Sequence, residues 1–136
     1  MNRTEAREIA FKILFSNQFL DNGFDIEIFT ELLDGNKCSQ KDIDFVKSLV
    51  LGVKQNKDVL EEVIRQNLSE YKYERLFSAD KVALILCVYE IKFTDTPKKV
   101  AINEALNLVK KYSTEKSAGF VNSVLDKICQ GLEKNE

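Results

Sequence analysis

The stretch 79-ADKVALILCVYEIKF-93 decides the fold. Val82, Ala83, Leu84, Ile85, Leu86, Cys87, Val88, Tyr89 and Ile91 leave almost no polar face. As a helix the segment is apolar nearly all round and belongs in the middle of a bundle. It is too short to cross a bilayer, which needs about 20 apolar residues. A buried strand is the rival reading of any apolar run. Length favours the helix, as does Ser78 at an N-cap position before it.

A central helix of this kind must be covered on several sides, and both flanks supply the cover. Ala6, Ile9, Ala10, Ile13 and Leu14 recur at helical spacing, with Phe11, Phe15 and Phe19 widening the stripe, which predicts an amphipathic helix over 2–20. Arg3, Arg7 and Lys12 project from its polar part, diluted by Glu5 and Glu8. Asp21-Asn22-Gly23 signals a turn, after which a short acidic helix is predicted over 25–33. Ser39 with Asp42 has the pattern of a capping box and opens the longest periodic stretch. That stretch reads as one helix over 41–67 kinked near Gln55-Asn56, with two helices broken there as the alternative.

Tyr71 to Phe77 reads as a connector with a single helical turn at 74–77, and the apolar helix follows it. Thr96 as a cap and Pro97 at the first helical position then predict a restart over 97–112, burying Val100, Ala101, Ala105, Leu108, Val109 and Tyr112. The last helix is predicted over 118–132, burying Val121, Val124, Leu125, Ile128 and Cys129. No repeat, linker or strand-like alternation interrupts the pattern. The expectation is one all-α domain over 1–136, with six or seven helices around a buried central one.

Charged residues make up 31% of the chain and the net charge is -2, so any nucleic-acid surface has to be a local patch. The absence of His excludes triads, His–metal sites and imidazole acid/base chemistry. Cys38, Cys87 and Cys129 are widely spaced without a Cys-x-x-Cys pair, which reads as reduced thiols in a cytoplasmic protein with no metal or cofactor. The N-terminus, broken by Glu5 and Glu8, reads as neither a signal peptide nor a membrane span.

Residues 98–116 hold lysines 98, 99, 110, 111 and 116 against Glu104 and Glu115, a local cationic excess in an acidic chain. Lys116-Ser117-Ala118-Gly119-Phe120 places a cation, small residues and a ring at a helix start, where free backbone N–H groups attract phosphate. Cations and rings together are what single-stranded RNA requires. The competing reading makes Phe120 core and the lysines solubilising. Asn103, Glu104, Tyr89 and Glu90 read as hydrogen-bonding groups that fix helix packing rather than as catalytic residues. No nucleophile and base pair or phosphate-cradling loop is present, so the chain does not read as an enzyme.

Three stretches together resemble the NusB family of bacterial transcription antitermination factors. They are Tyr73-Glu74-Arg75-Leu76 with Asp80 and Tyr89-Glu90-Ile91, then VAINEALNLVKKYS at Val100 to Ser113, then FVNSVLDKI at Phe120 to Ile128. The resemblance covers essentially the whole chain. It implies an all-helical fold of two packed sub-bundles, the second beginning after Tyr71, and a non-catalytic role. Such proteins pair with a small-subunit ribosomal protein, NusE. The pair binds the single-stranded boxA element of nascent ribosomal RNA and helps the RNA polymerase antitermination complex resist termination.

Carried over by position, the resemblance implies an RNA surface at Arg3, Arg7 and Phe15, continuing through Lys98 and Lys99 and completed by Lys116, Phe120 and Asn122. The NusE side would include Glu74 and Asp80, acids that suit a basic ribosomal protein. The chain departs from the family pattern in its few N-terminal arginines, in Ile85 where arginine is common, and in Ser123 for a glycine, which either crowds a close helix contact or means only that the neighbours differ.

Two other readings keep the fold. One is a protein-interaction scaffold without RNA contact. The other is a substrate-binding module like the N-terminal domain of RNA cytosine methyltransferases, disfavoured because the sequence stops at Glu136 with no methyltransferase domain after it. Apolar exposure on the first sub-bundle would support a homodimer that hides the RNA surface.

Overall fold

The computed structural model describes residues 1–17 and 38–134. The acidic helix expected over 25–33 lies outside them, as do Phe19 and Leu20. Among the described residues there are six α-helices and no strand: α1 (Arg3–Asn17), α2 (Gln40–Gln55), α3 (Lys57–Gln66), α4 (Ser78–Phe93), α5 (Lys98–Tyr112) and α6 (Glu115–Lys134), with a 3-10 turn at Tyr73–Arg75 before α4.

α4 is the central helix the sequence predicts. Ten of its residues are buried, from Ala79 to Glu90, and it packs against each of the other five helices. Val82, Leu84, Ile85 and Val88 expose nothing, and each such side chain contributes about 1.5–3 kcal/mol through burial. Ile85 therefore sits where a charged side chain would have to be paired. Ser78 is the first helical residue and makes no capping bond; Phe77 precedes it in extended conformation.

The first sub-bundle is built on α1, α2 and α3. Asn2 caps α1 by accepting from the Glu5 N–H at 2.8 Å, and Ala6, Ile9, Ala10, Phe11, Ile13 and Leu14 form its buried stripe. The capping box of Ser39 and Asp42 forms as expected, with the Asp42 carboxylate accepting from the Ser39 N–H at 2.9 Å. The long stretch after it is two helices, broken at Asn56, which is the alternative reading. Asn56 leaves helical geometry and its side-chain amide donates to the Gly52 carbonyl at 2.8 Å, so a polar side chain competes with the backbone ladder there. Gly52 itself is required by packing: a Cβ there would overlap the Tyr89 ring and hydroxyl on α4.

In the second sub-bundle, α5 starts one residue later than its sequence suggests. Pro97 occupies the cap, and the Thr96 backbone N–H turns instead to the Thr94 hydroxyl at 3.2 Å. α6 starts three residues earlier than expected, because the Thr114 hydroxyl accepts from the Ser117 N–H at 3.1 Å and captures residues 115–117 into its first turn. Ser123 is exposed and crowds nothing.

Candidate nucleic-acid interface

Chain direction fixes which expected site residues can meet. The Thr4 hydroxyl donates to Glu104 at 2.7 Å, while further along α1 Glu8 receives Lys111 Nζ at 2.6 Å and the Tyr112 hydroxyl. α1 and α5 therefore run side by side in the same direction. The 15 residues of α5 span about 22 Å at a helical rise of about 1.5 Å. Lys98 and Lys99 consequently share one end of the bundle with Arg3, and Lys116 lies beyond the other end. The cations of the RNA surface that the resemblance implies therefore fall into two groups about one helix length apart.

At the near end, Arg3 lies over the Phe45 ring, 3.9 Å from its centre, and remains exposed. Lys99 is exposed and Lys98 half-buried. Arg7 does not join them. The residue is only 7% exposed, with Nε donating to Glu90 at 2.8 and 3.1 Å and Nη1 lying 3.8 Å from Glu104. Three sequence features weighed separately, the cation of α1, Glu90 and Glu104, are thus one internal cluster. Arg7 holds α1 to α4 and α5 and offers no charge to a ligand.

At the far end the rings and cations come together. Phe15, 41% exposed, stacks on Phe11 with ring centres 6.0 Å apart, and Phe11 stacks in turn on Tyr112 at 5.2 Å. Lys12 and Lys111 flank the Tyr112 ring at 6.0 and 5.5 Å. The resemblance carries over no role for Lys12, Lys110 or Lys111, although lysines 110 and 111 belong to the local cationic excess. The parallel pairing of α1 with α5 brings Lys111 to the same ring and the same carboxylate as Lys12. Glu8 lies among them; burial works against its charge, but Lys111, Tyr112 and Lys12 outweigh that and hold its carboxyl below the usual range.

The far end continues into α6. Lys116 and Asn122 are exposed and Phe120 is half-buried. The Phe120 ring meets Tyr71 edge-on, with centres 5.3 Å apart and planes at 79°, so it is a packing residue that keeps part of its surface available. Lys116 and Phe120, but not Asn122, border a cavity of about 400 Å³ between the starts of α4 and α6, which Tyr71, Arg75, Phe77 and Asp80 also line.

The two acids assigned to a protein partner separate. Glu74 is exposed and bonded to Arg65 at 2.8 Å; its own backbone N–H and Arg65 hold its carboxyl below the usual range. Asp80 is 3% exposed and accepts the Ser117 hydroxyl at 2.8 Å. Glu74 thus stands on the surface, and Asp80 lies beneath it against the start of α6.

The model of the NusB family matches residues 4–130. A transcription antitermination protein NusB from Clostridium botulinum (strain Kyoto / Type A2) is 41% identical over 144 residues, covering 94% of this chain and 99% of the relative. Among solved structures, NusB of T. maritima superposes with a TM-score of 0.84 at 32% identity, covering 96% of this chain and 92% of that one. A crystal structure of antitermination factors NusB and NusE in complex with double-stranded RNA gives a TM-score of 0.81 at 29% identity, covering 95% and 96%. Fold and matches place the chain among the all-helical transcription antitermination proteins. It belongs to the NusB family.

Proposed function

We propose that the chain is a single RNA-binding domain that works in the cytoplasm as an antitermination factor. With NusE it binds boxA-type single-stranded RNA of nascent ribosomal RNA transcripts, and it acts on RNA polymerase complexes by occupancy rather than catalysis. The observation that carries this reading is the far end of α1. There an exposed ring, Phe15, caps an aromatic ladder whose last member is flanked by Lys12 and Lys111. Bases stack on such rings and phosphates follow such cations. Among the described residues no helix is long and apolar enough to cross a membrane, which accords with work on a transcript.

The RNA surface then comprises Phe15, Lys12, Lys110, Lys111, Lys116, Phe120 and Asn122, with Arg3, Lys98 and Lys99 reached by a longer strand. Glu74 is the acid left for a basic partner protein. Titration of the protein with a boxA-like RNA, with and without NusE, tests the reading. Tight binding that Phe15→Ala weakens supports it, and no binding in either mixture leaves the scaffold reading, which the withdrawal of Arg7 into the interior favours.

A further inference from the structure

Asp80, which lines the cavity between α4 and α6, carries a buried acceptor that no group among the described residues satisfies. Asp80 Oδ2 takes the Ser117 hydroxyl at 2.8 Å, but Oδ1 exposes no surface and has no donor. The neighbouring protons are all committed. Ser117 has one hydroxyl proton and gives it to Asp80, so Ser113 and Thr114, each 3.0 Å from the Ser117 oxygen, must donate inward to Ser117. Neither has a proton left for Oδ1. Buried polar groups almost always find partners, so an orphan acceptor on a residue that lines a cavity of about 400 Å³ calls for a donor that enters when the side chains covering it part.

Water aside, three classes of donor could answer: a basic side chain, a metal cation or the amino group of a nucleobase. The rest of the lining discriminates among them. Arg75 and Lys116 also line the cavity, and they repel another cation while attracting phosphate. Tyr71 and Phe77 are 59% and 61% exposed, and Tyr71 meets Phe120 edge-on, so rings are available to a flat ligand. Splayed-out bases of single-stranded RNA are held in this way, stacked on rings and hydrogen-bonded at an edge.

We propose that this cavity receives one unstacked base of the bound RNA, with the base against Tyr71 and Phe120 and its exocyclic amino group donating to Asp80. The proposal rests on the RNA-binding reading above and adds sequence preference to it. A carboxylate accepts from cytosine N4, and adenine N6 is chemically equivalent. Uracil presents carbonyl oxygens at the same positions, acceptor against acceptor, and is rejected. To reach Oδ1 the base has to part the side chains above it, and Tyr71, the more exposed member of its ring pair, is the one with room to swing.

The test is fluorescence anisotropy with labelled boxA-like RNAs in which each adenine and cytosine is replaced in turn by uracil, then by an abasic nucleotide. The protein is used alone and with NusE. One position should weaken binding on the order of ten-fold when its amino group is lost, a typical cost for one lost base contact. Asp80→Asn, keeping its amide oxygen on Ser117, puts a donor at the Oδ1 position and should turn the preference at that nucleotide toward uracil.

Tyr71→Ala, at an exposed ring, gives a variant whose folding is not in question. It should weaken the parent RNA on the order of ten-fold but the abasic RNA hardly at all, since the base it supports is gone. Equal tolerance at every position, or equal loss for parent and abasic RNA in Tyr71→Ala, overturns the base slot alone. Loss of NusE binding with RNA binding intact assigns the cavity to protein and also overturns it. If the unmodified RNA does not bind at all, the functional reading fails and the slot with it.

Discussion

Arg7 Nε donates to both carboxylate oxygens of Glu90, at 2.8 and 3.1 Å, in the interior between α1 and α4. A buried pair of this kind gains Coulomb energy against a large desolvation penalty, so its net contribution is small. The cost of removing one member is not, because the other charge is left uncompensated. Arg7→Ala or Glu90→Gln should each destabilise by about 3–5 kcal/mol, and replacing both with apolar residues of similar volume should cost less than either single change. Urea denaturation of the four proteins measures this. Arg7 variants that remain folded should bind RNA as the parent does.

The contact between Gly52 and Tyr89 gives a second test. Alanine is the better helix former by about 0.8–1 kcal/mol, yet its methyl group would overlap Tyr89. Overpacking typically costs about 1–3 kcal/mol, so Gly52→Ala should be net destabilising despite its propensity. Tyr89→Ala should rescue part of the loss, giving a coupling energy in a double-mutant cycle of thermal unfolding. Additive effects would mean that α2 shifts freely away from α4.

The bridge from Glu8 to Lys111 sets a pH window. Lys111 is raised above its usual value by Glu8, and Glu8 is held below its own. The depressed carboxyl stabilises the fold above the unfolded Glu pKa, about 4.3, and the contribution is lost as pH falls through the lower folded value. The raised ammonium stabilises below the unfolded Lys pKa, about 10.4, and that contribution is lost as pH rises through the higher folded value. The stability gap between parent and Glu8→Gln should be flat between those limits and close beyond each. A gap independent of pH would show that Glu8 acts through packing.

Salt dependence counts the cations that touch phosphate. If about four do, the logarithm of the association constant should fall against the logarithm of salt with a slope of roughly -3, at about -0.7 per contact on a single strand. Lys111→Ala and Lys116→Ala should each reduce the slope by roughly one contact, while Arg7→Met should leave it unchanged. An unchanged slope in both lysine variants would move the RNA to another face.

The fold was legible because its signals are local. The unbroken apolar run of α4, the capping box at Ser39 and the 3.6-residue stripes of α1, α5 and α6 depend only on neighbours in sequence. Helix boundaries slipped where a cap competes with its neighbours, as at Ser78, Thr96 and Thr114, since which hydroxyl wins is settled by tertiary placement. The site was less legible because it depends on which helices run parallel. Arg7 has the sequence appearance of any surface cation, and its removal into the interior follows from Glu90, 83 positions away. Lys12 and Lys111 were visible as charges, but their convergence required α1 beside α5. The orphan oxygen of Asp80 leaves no mark in a sequence at all.

The ties from α1 to α5 also bear on how the chain is made. Thr4 and Glu8 find their partners 100 to 104 positions downstream. At a synthesis rate of about 5–20 residues per second, the first helix waits roughly 5–20 s for them. Throughout that interval Ile9, Ile13 and Leu14 have nowhere complete to go, so α1 is a segment that chaperones, or premature aggregation, can meet before its partners exist.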